Sequence, residues 1–182
     1  DACGHIPFIV AHPKYGQGER RSQLVQLVDI YPTVLAAVGR PCPAGRHGVD
    51  LLPALRDADA GTRDYAVCGM FGRSVTITDG DWILHQSPVE DNKPLFWYSH
   101  GLARFIPYDL GPFEHGRRAV DCVSWPEPTW LSDKRCDPNE TVNLAADRPD
   151  KLADMQRALA GKLTELGAPP EQLERLGLQH MQ

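Results

Sequence analysis

The sequence predicts an α/β chain: strands of a central α/β sheet at the front, an antiparallel hairpin beyond them, and a long amphipathic terminal helix. Three observations carry this. Ile6-Pro7-Phe8-Ile9-Val10 and Leu24-Val25-Gln26-Leu27-Val28 are largely apolar runs with little alternation, as in strands covered on both faces. Two alternating segments flank Asp79-Gly80, a strong two-residue hairpin signal. Leu152, Met155, Leu159, Leu163 and Leu166 then recur at helical spacing opposite Asp154, Arg157, Lys162 and Glu165.

The first run is expected to be a strand, and polar residues 14–22 a surface loop. The second run is expected to be a strand leading into a helix that starts near Asp29. Asp29 is the expected N-cap, because its carboxylate can accept free N–H groups of the first turn. Pro32 is tolerated in that turn. Ile30, Val34, Ala37 and Val38 form the expected buried stripe, and Gly39 suits the position just past the helix end.

A Pro/Gly-rich connector covers residues 40–50, and residues 49–55 hold a short helical turn. The charged, small-residue stretch 57–64 is the expected boundary between two parts, residues 1–60 and 61–182. Beyond it, residues 65–70 read as a strand. In the hairpin, Ile77 is expected to face Trp82 and Val75 to face Leu84, so that all four share one face. Residues 87–137 are rich in aromatics, Pro and Gly, and read as a long ordered excursion with a strand or two, a kind of segment that often lines sites. A turn over Asp137-Pro138-Asn139-Glu140-Thr141 precedes the terminal helix, which Gly167 closes. One more short helix follows Ala168-Pro169-Pro170.

With 182 residues and 42% hydrophobic content, the chain can bury a core. A formal charge of −5 gives no basic face for nucleic acid. No run of about 18 apolar residues marks a membrane span, and no stretch reads as a secretory signal. A chain that opens on Asp1 and reaches core pattern by Ile6 is expected to continue upstream. The five cysteines form no CxxC pair, and their odd count forbids a complete disulfide set. They read as reduced thiols, which favours the cytoplasm without fixing the compartment.

The wording of several segments resembles one family, the type I sulfatases of the alkaline-phosphatase-like superfamily, in their C-terminal part. His5-Ile6-Pro7-Phe8-Ile9-Val10-Ala11-His12-Pro13 resembles a VP-apolar-apolar-x-x-P strand, and Val28-Asp29-Ile30-Tyr31-Pro32-Thr33 a VD-apolar-x-PT helix start. Gly48-Val49-Asp50-Leu51-Leu52-Pro53-Ala54-Leu55 is similar to a G-x-x-L-x-P-x-L segment. Thr78-Asp79-Gly80-Asp81-Trp82-Ile83-Leu84 resembles a GDWK hairpin, with Ile83 where Lys is common. Asp137-Pro138-Asn139-Glu140-Thr141-Val142-Asn143-Leu144 resembles DP-x-E-x-x-NL. Five weak motifs in the family's order span most of the chain.

The resemblance implies the end of a large α/β domain followed by a small antiparallel sheet with one helix packed on it, in a sulfuric ester hydrolase whose nucleophile, a formylglycine made in a C/S-x-P/A-x-R motif, lies upstream of this stretch. It likewise implies a calcium ion held upstream by Asp and Asn oxygens, with Lys, His and Arg stabilising charge. This chain is therefore expected to hold no catalytic or metal-ligating residue and no cofactor of its own, and to be inactive alone. A sulfate-ester substrate would meet it only in a full-length context, with His85, Tyr98 and His100 as the expected contributors to the substrate rim. Lys93 and Arg104 are further candidates for an anion, against the ordinary reading of solvated charge. His5 and His12 read as loop or partly buried histidines.

Cys42-Pro43-Ala44-Gly45-Arg46 formally fits C-x-A-x-R, but it follows the PT helix and lacks paired acids upstream, so it reads as a loop. Asn139-Glu140-Thr141 matches a glycosylation sequon and reads as a turn. Two alternatives stand beside the hydrolase segment. One is a non-catalytic interaction or assembly module, with a partner at the edge near Ile6 to Val10. The other is a fragment of a related phosphodiesterase or phosphonate hydrolase, whose deciding residues would lie upstream.

Overall fold

A computed structural model describes residues 4, 6–15, 18–69, 72–90, 92, 95–99, 116–120 and 127–181, with the backbone alone over 95–99 and 116–120. Its centre is an antiparallel sheet in which β1 (Ala66–Gly69), β2 (Val75–Thr78), β3 (Trp82–Gln86) and β6 (Trp130–Asp133) follow one another in that spatial order. Between β3 and β6, β4 (Leu95–Ser99) and β5 (Gly116–Val120) form a separate two-stranded ribbon. The remaining elements are α1 (Ile30–Ala37), α2 (Leu52–Arg56), α3 (Pro149–Glu165) and α4 (Pro170–Arg175).

Alternation along β2 and β3 sends Val75, Ile77, Trp82 and Leu84 to one face, where Leu131 of β6 joins them. Against that face α3 lays Met155, Leu159, Ala160 and Leu163, and Leu173, Leu176 and Leu178 close the end of the layer. Pro149 occupies the first turn of α3, where its missing N–H costs nothing, and Gly167 with φ +71° ends the run. The polar side chain of Gln86 is buried beside this core. Gln86 donates to the Leu176 carbonyl at 3.0 Å and accepts from Gln156 at 2.9 Å, tying β3 to α3 and to the end of α4.

The four apolar hairpin residues share a face as expected, but the pairing differs. Ile77 lies opposite Leu84, and Val75 opposite Gln86. The side chains of the turn set this register. Asp79 accepts from the N–H groups of Asp81 (3.0 Å) and Trp82 (2.6 Å), and Thr78 Oγ1 donates to the Trp82 carbonyl at 2.7 Å. Gly80 and Asp81 thus become the central pair, with φ +97° at Gly80. A shift by two residues preserves the parity of every side chain, so the buried face survives.

The front of the chain corrects four expectations. Residues 6–10 form no strand: they run irregularly, with Ile9 90% exposed and Ile6 also exposed. A strand exists only through its ladder, and among the described residues nothing pairs with this run. Residues 24–26 are irregular too, leading into a 3-10 turn over Leu27–Asp29. Asp29 is not the side-chain cap of α1, which has none; its carboxylate is engaged elsewhere, as described below. The stripe of α1 is also reversed. Pro32 is buried, with Leu35 and Ala36 half-buried, whereas Ile30, Val34 and Val38 face outward, Val38 at 67%. Helical periodicity identifies an apolar face but not what covers it. Gly39 does take the left-handed conformation past the helix end, at φ +69°.

After α1 the connector returns against the helix start. A Cβ on Gly48 would stand 2.1 Å from the Val28 carbonyl oxygen, so only glycine permits this approach. Asp50 Oδ1 accepts from the Leu52 N–H at 2.9 Å at the start of α2, and Leu51, Leu52 and Ala54 are buried.

Candidate functional site

Opposite the core, the sheet carries a polar cluster built around His85. Parity in β2 and β3 brings Thr76 and His85 side by side, and Thr76 Oγ1 lies 2.8 Å from His85 Nδ1. The other ring nitrogen, Nε2, is 2.8 Å from Glu140 Oε2. Glu140 Oε1 accepts from Lys134 Nζ at 3.1 Å. Glu140 comes from the turn after β6 and stands in the left-handed region, at φ +55°. The turn holds it there. Asp137 accepts from the Val142 N–H (2.8 Å) and the Thr141 hydroxyl (3.1 Å), while the Glu140 N–H donates to the Asp137 carbonyl (3.1 Å).

Burial pushes the Glu140 carboxyl up, but the bonds from His85 and Lys134 outweigh it and hold it below the ordinary glutamate value. Asp137 is lowered chiefly by the Val142 N–H, and Asp133 by the Arg135 guanidinium beside it. With both ring nitrogens engaged, the His85 imidazole clamps the turn to the sheet and offers no free nitrogen in this arrangement.

A pH dependence follows. The folded Glu140 carboxyl has a depressed pKa, so its contribution is fully present above the ordinary value of 4.5 and is lost as pH falls through the folded value. Melting temperature should drop as pH falls from about 5 to about 3, and Glu140→Gln should flatten that limb. Parallel profiles for the two proteins would contradict the clamp.

The other expected site residues fall differently. Tyr98 lies on β4, paired across the ribbon with Arg117, and its side chain is outside the description. His100, Lys93, Arg104 and His5 lie outside the described residues. His12 belongs to a local turn: its ring stacks on Tyr15 with centroids 4.4 Å apart, and Nδ1 accepts from the Lys14 N–H at 3.1 Å. Sequence reasoning did not find Thr76, Lys134 or Glu140 as partners of His85. Alternation could have paired Thr76 with His85, but Glu140 is 55 residues away and no local pattern announces it.

The second polar centre is Asp29, which is fully buried. Its Oδ2 accepts from the Gln26 N–H at 2.7 Å and its Oδ1 from the Val49 N–H at 2.8 Å. The Arg63 guanidinium forms an ion pair with Oδ1 and also bonds the Gln26 side chain. Thr33 Oγ1 donates to the Asp29 carbonyl (2.6 Å) and accepts from the Leu51 N–H (3.0 Å). These bonds commit Asp29 to holding chain segments together.

The described residues offer no set that fits the calcium ion the resemblance implies. Among the described residues no group of three or more His, Cys, Asp and Glu could hold a metal ion. Cys42 is a free thiol in the exposed connector.

The fold is shared with sulfatases, and over most of its length the chain is homologous to them. Arylsulfatase K of Bos taurus is 39% identical over 162 residues, which cover 87% of this chain and 25% of that protein. Arylsulfatase K of Xenopus laevis is 25% identical over 162 residues, covering 87% and 26%. Among solved structures, a 4S-sulf protein studied for the metabolism of multiple glycosaminoglycans by Bacteroides thetaiotaomicron superposes with a TM-score of 0.60 at 16% identity, covering 91% of this chain and 32% of that one. No family model matches. The chain spans about a quarter of the length of the curated relatives it matches.

Proposed function

We propose that this chain is the C-terminal segment of a sulfuric ester hydrolase, completing its fold and forming part of the rim around a sulfate-ester substrate, and that it is inactive alone. The observation that carries this reading is its alignment along 87% of its length with about a quarter of arylsulfatase K. The nucleophile and the calcium ligands would belong to the remaining sequence of such an enzyme. Tyr98 and His100 are the proposed rim residues. His85 would support the rim by fixing the turn that carries Glu140, since its own nitrogens are engaged.

The exposed apolar surface of Leu27, Val28, Ile30, Tyr31, Val34 and Val38 supports the fold-completing role. That surface suits the body of the hydrolase, joined in the same chain. It also favours a second reading, a non-catalytic module that docks on a separate catalytic chain. Co-purification with a formylglycine-bearing protein would select the second.

The test is direct. The purified chain, supplied with calcium, should turn over neither p-nitrophenyl sulfate nor 4-nitrocatechol sulfate, and a hydrazine aldehyde probe should leave Cys42 unlabelled. Metal-dependent turnover, or labelling at Cys42, would refute the reading.

A further inference from the structure

Among the described residues, the principal apolar cluster draws all its members from residues 65–181. The front of the chain is joined to it differently. Gln26 Nε2 donates to the Val67 carbonyl on β1 at 2.6 Å, and Thr62 Oγ1 donates to the Leu24 carbonyl at 2.6 Å. The Gln23 side chain bonds the Ala58 carbonyl. At the middle of this joint stands Arg63, which reaches both Gln26 and the fully buried Asp29. Asp29 in turn gathers the start of α1 and the connector at Val49. One guanidinium thus closes three stretches of chain onto the edge of the sheet.

Such a joint differs physically from a greasy interface. Its directional bonds converge on one buried charge pair, so losing one member leaves the others unsatisfied. The joint is also incompletely satisfied. Arg63 Nε and Gln23 Oε1 are buried without a hydrogen-bond partner among the described residues. A seam that holds a charge pair and unpaired polar atoms gains by admitting water, which favours opening there before either flank loses its packing.

We propose that Arg63 is a latch: it holds residues 24–56, with the exposed apolar face of α1, against the β1 edge, and its release lets that segment open as one body while the sheet and α3 stay folded. The latch sets how the apolar face of α1 is presented relative to the sheet. It rests on this geometry alone and does not depend on the hydrolase reading.

Hydrogen exchange on the full chain tests it. In Arg63→Gln, amide protection over α1 and at Val49 should fall about tenfold or more, while β2, β3 and α3 change by less than about twofold. Arg63→Lys, which can meet Asp29 but not Asp29 and Gln26 together, should fall between the two. The double variant Asp29→Asn with Arg63→Gln removes the buried charge, and it should show the same selective opening even if the single variant folds poorly. A protease should also gain a cut within residues 57–62 in both. Equal loss of protection on both sides of the joint in the double variant would overturn the latch, as would no loss on either side.

Discussion

Leu84→Ala is expected to lower the unfolding free energy by about 3 kcal/mol, within the range of about 2–5 kcal/mol for deleting a buried leucine that leaves a cavity. Leu84 has no exposed surface and sits between Ile77 of β2 and Leu131 of β6, with the α3 leucines across the layer. A sheet sandwiched by one helix has no slack to collapse into the space, because neighbouring strands fix its backbone. Urea unfolding followed by near-ultraviolet circular dichroism measures the loss. The midpoint should fall with little change in slope. A loss below about 1 kcal/mol would mean that this core is not the one holding the fold.

Asp29→Ala is expected to act as strongly in a smaller region. It strands the Arg63 guanidinium in a buried site and leaves the Gln26 and Val49 N–H groups unpaired. Removing one partner of a buried pair costs about 3–5 kcal/mol. That loss should appear as local opening of α1 and the connector, read from amide exchange at Val49, with the cooperative melt of the sheet retained. Asp29→Asn, which keeps an acceptor at the same position, should cost clearly less. Equal costs for the two variants would contradict the bonding described for this carboxylate.

The parts of the fold that were legible in the sequence are those written in local periods. Alternation in 75–78 and 82–86 and the leucine spacing of α3 each name a structure and a face without reference to distant residues. The hairpin shows where that stops. The pattern selected the face, but the turn chemistry of Asp79 and Thr78 selected the register, two residues away from the expected pairing. The front of the chain was less legible because its apolar runs say only that cover is needed. Residues 6–10 are apolar yet pair with nothing described, and α1 turns its expected core stripe outward.

Polar centres were the least legible, for the same reason in both cases. Asp29 stands before a helix and contains nothing that distinguishes a cap from an anchor. Its deciding partners, Val49 and Arg63, are 20 and 34 residues away. His85 was recognisable as a polar residue on the outer face, but its clamp depends on Glu140, whose backbone is held in the left-handed region by Asp137. Motif wording, by contrast, survived where geometry did not. Gly48 is glycine because the Val28 carbonyl leaves no room for a side chain. The family resemblance written in such residues agrees with the sulfatase relatives found over 87% of the chain.

The proposal that this chain is the C-terminal segment of a sulfatase-type hydrolase is decided by reading the DNA immediately upstream of the codon for Asp1. In-frame coding sequence that carries a C/S-x-P/A-x-R motif, with paired acidic residues before it, is expected there. A start signal adjoining Asp1, with no such sequence in frame, would contradict it.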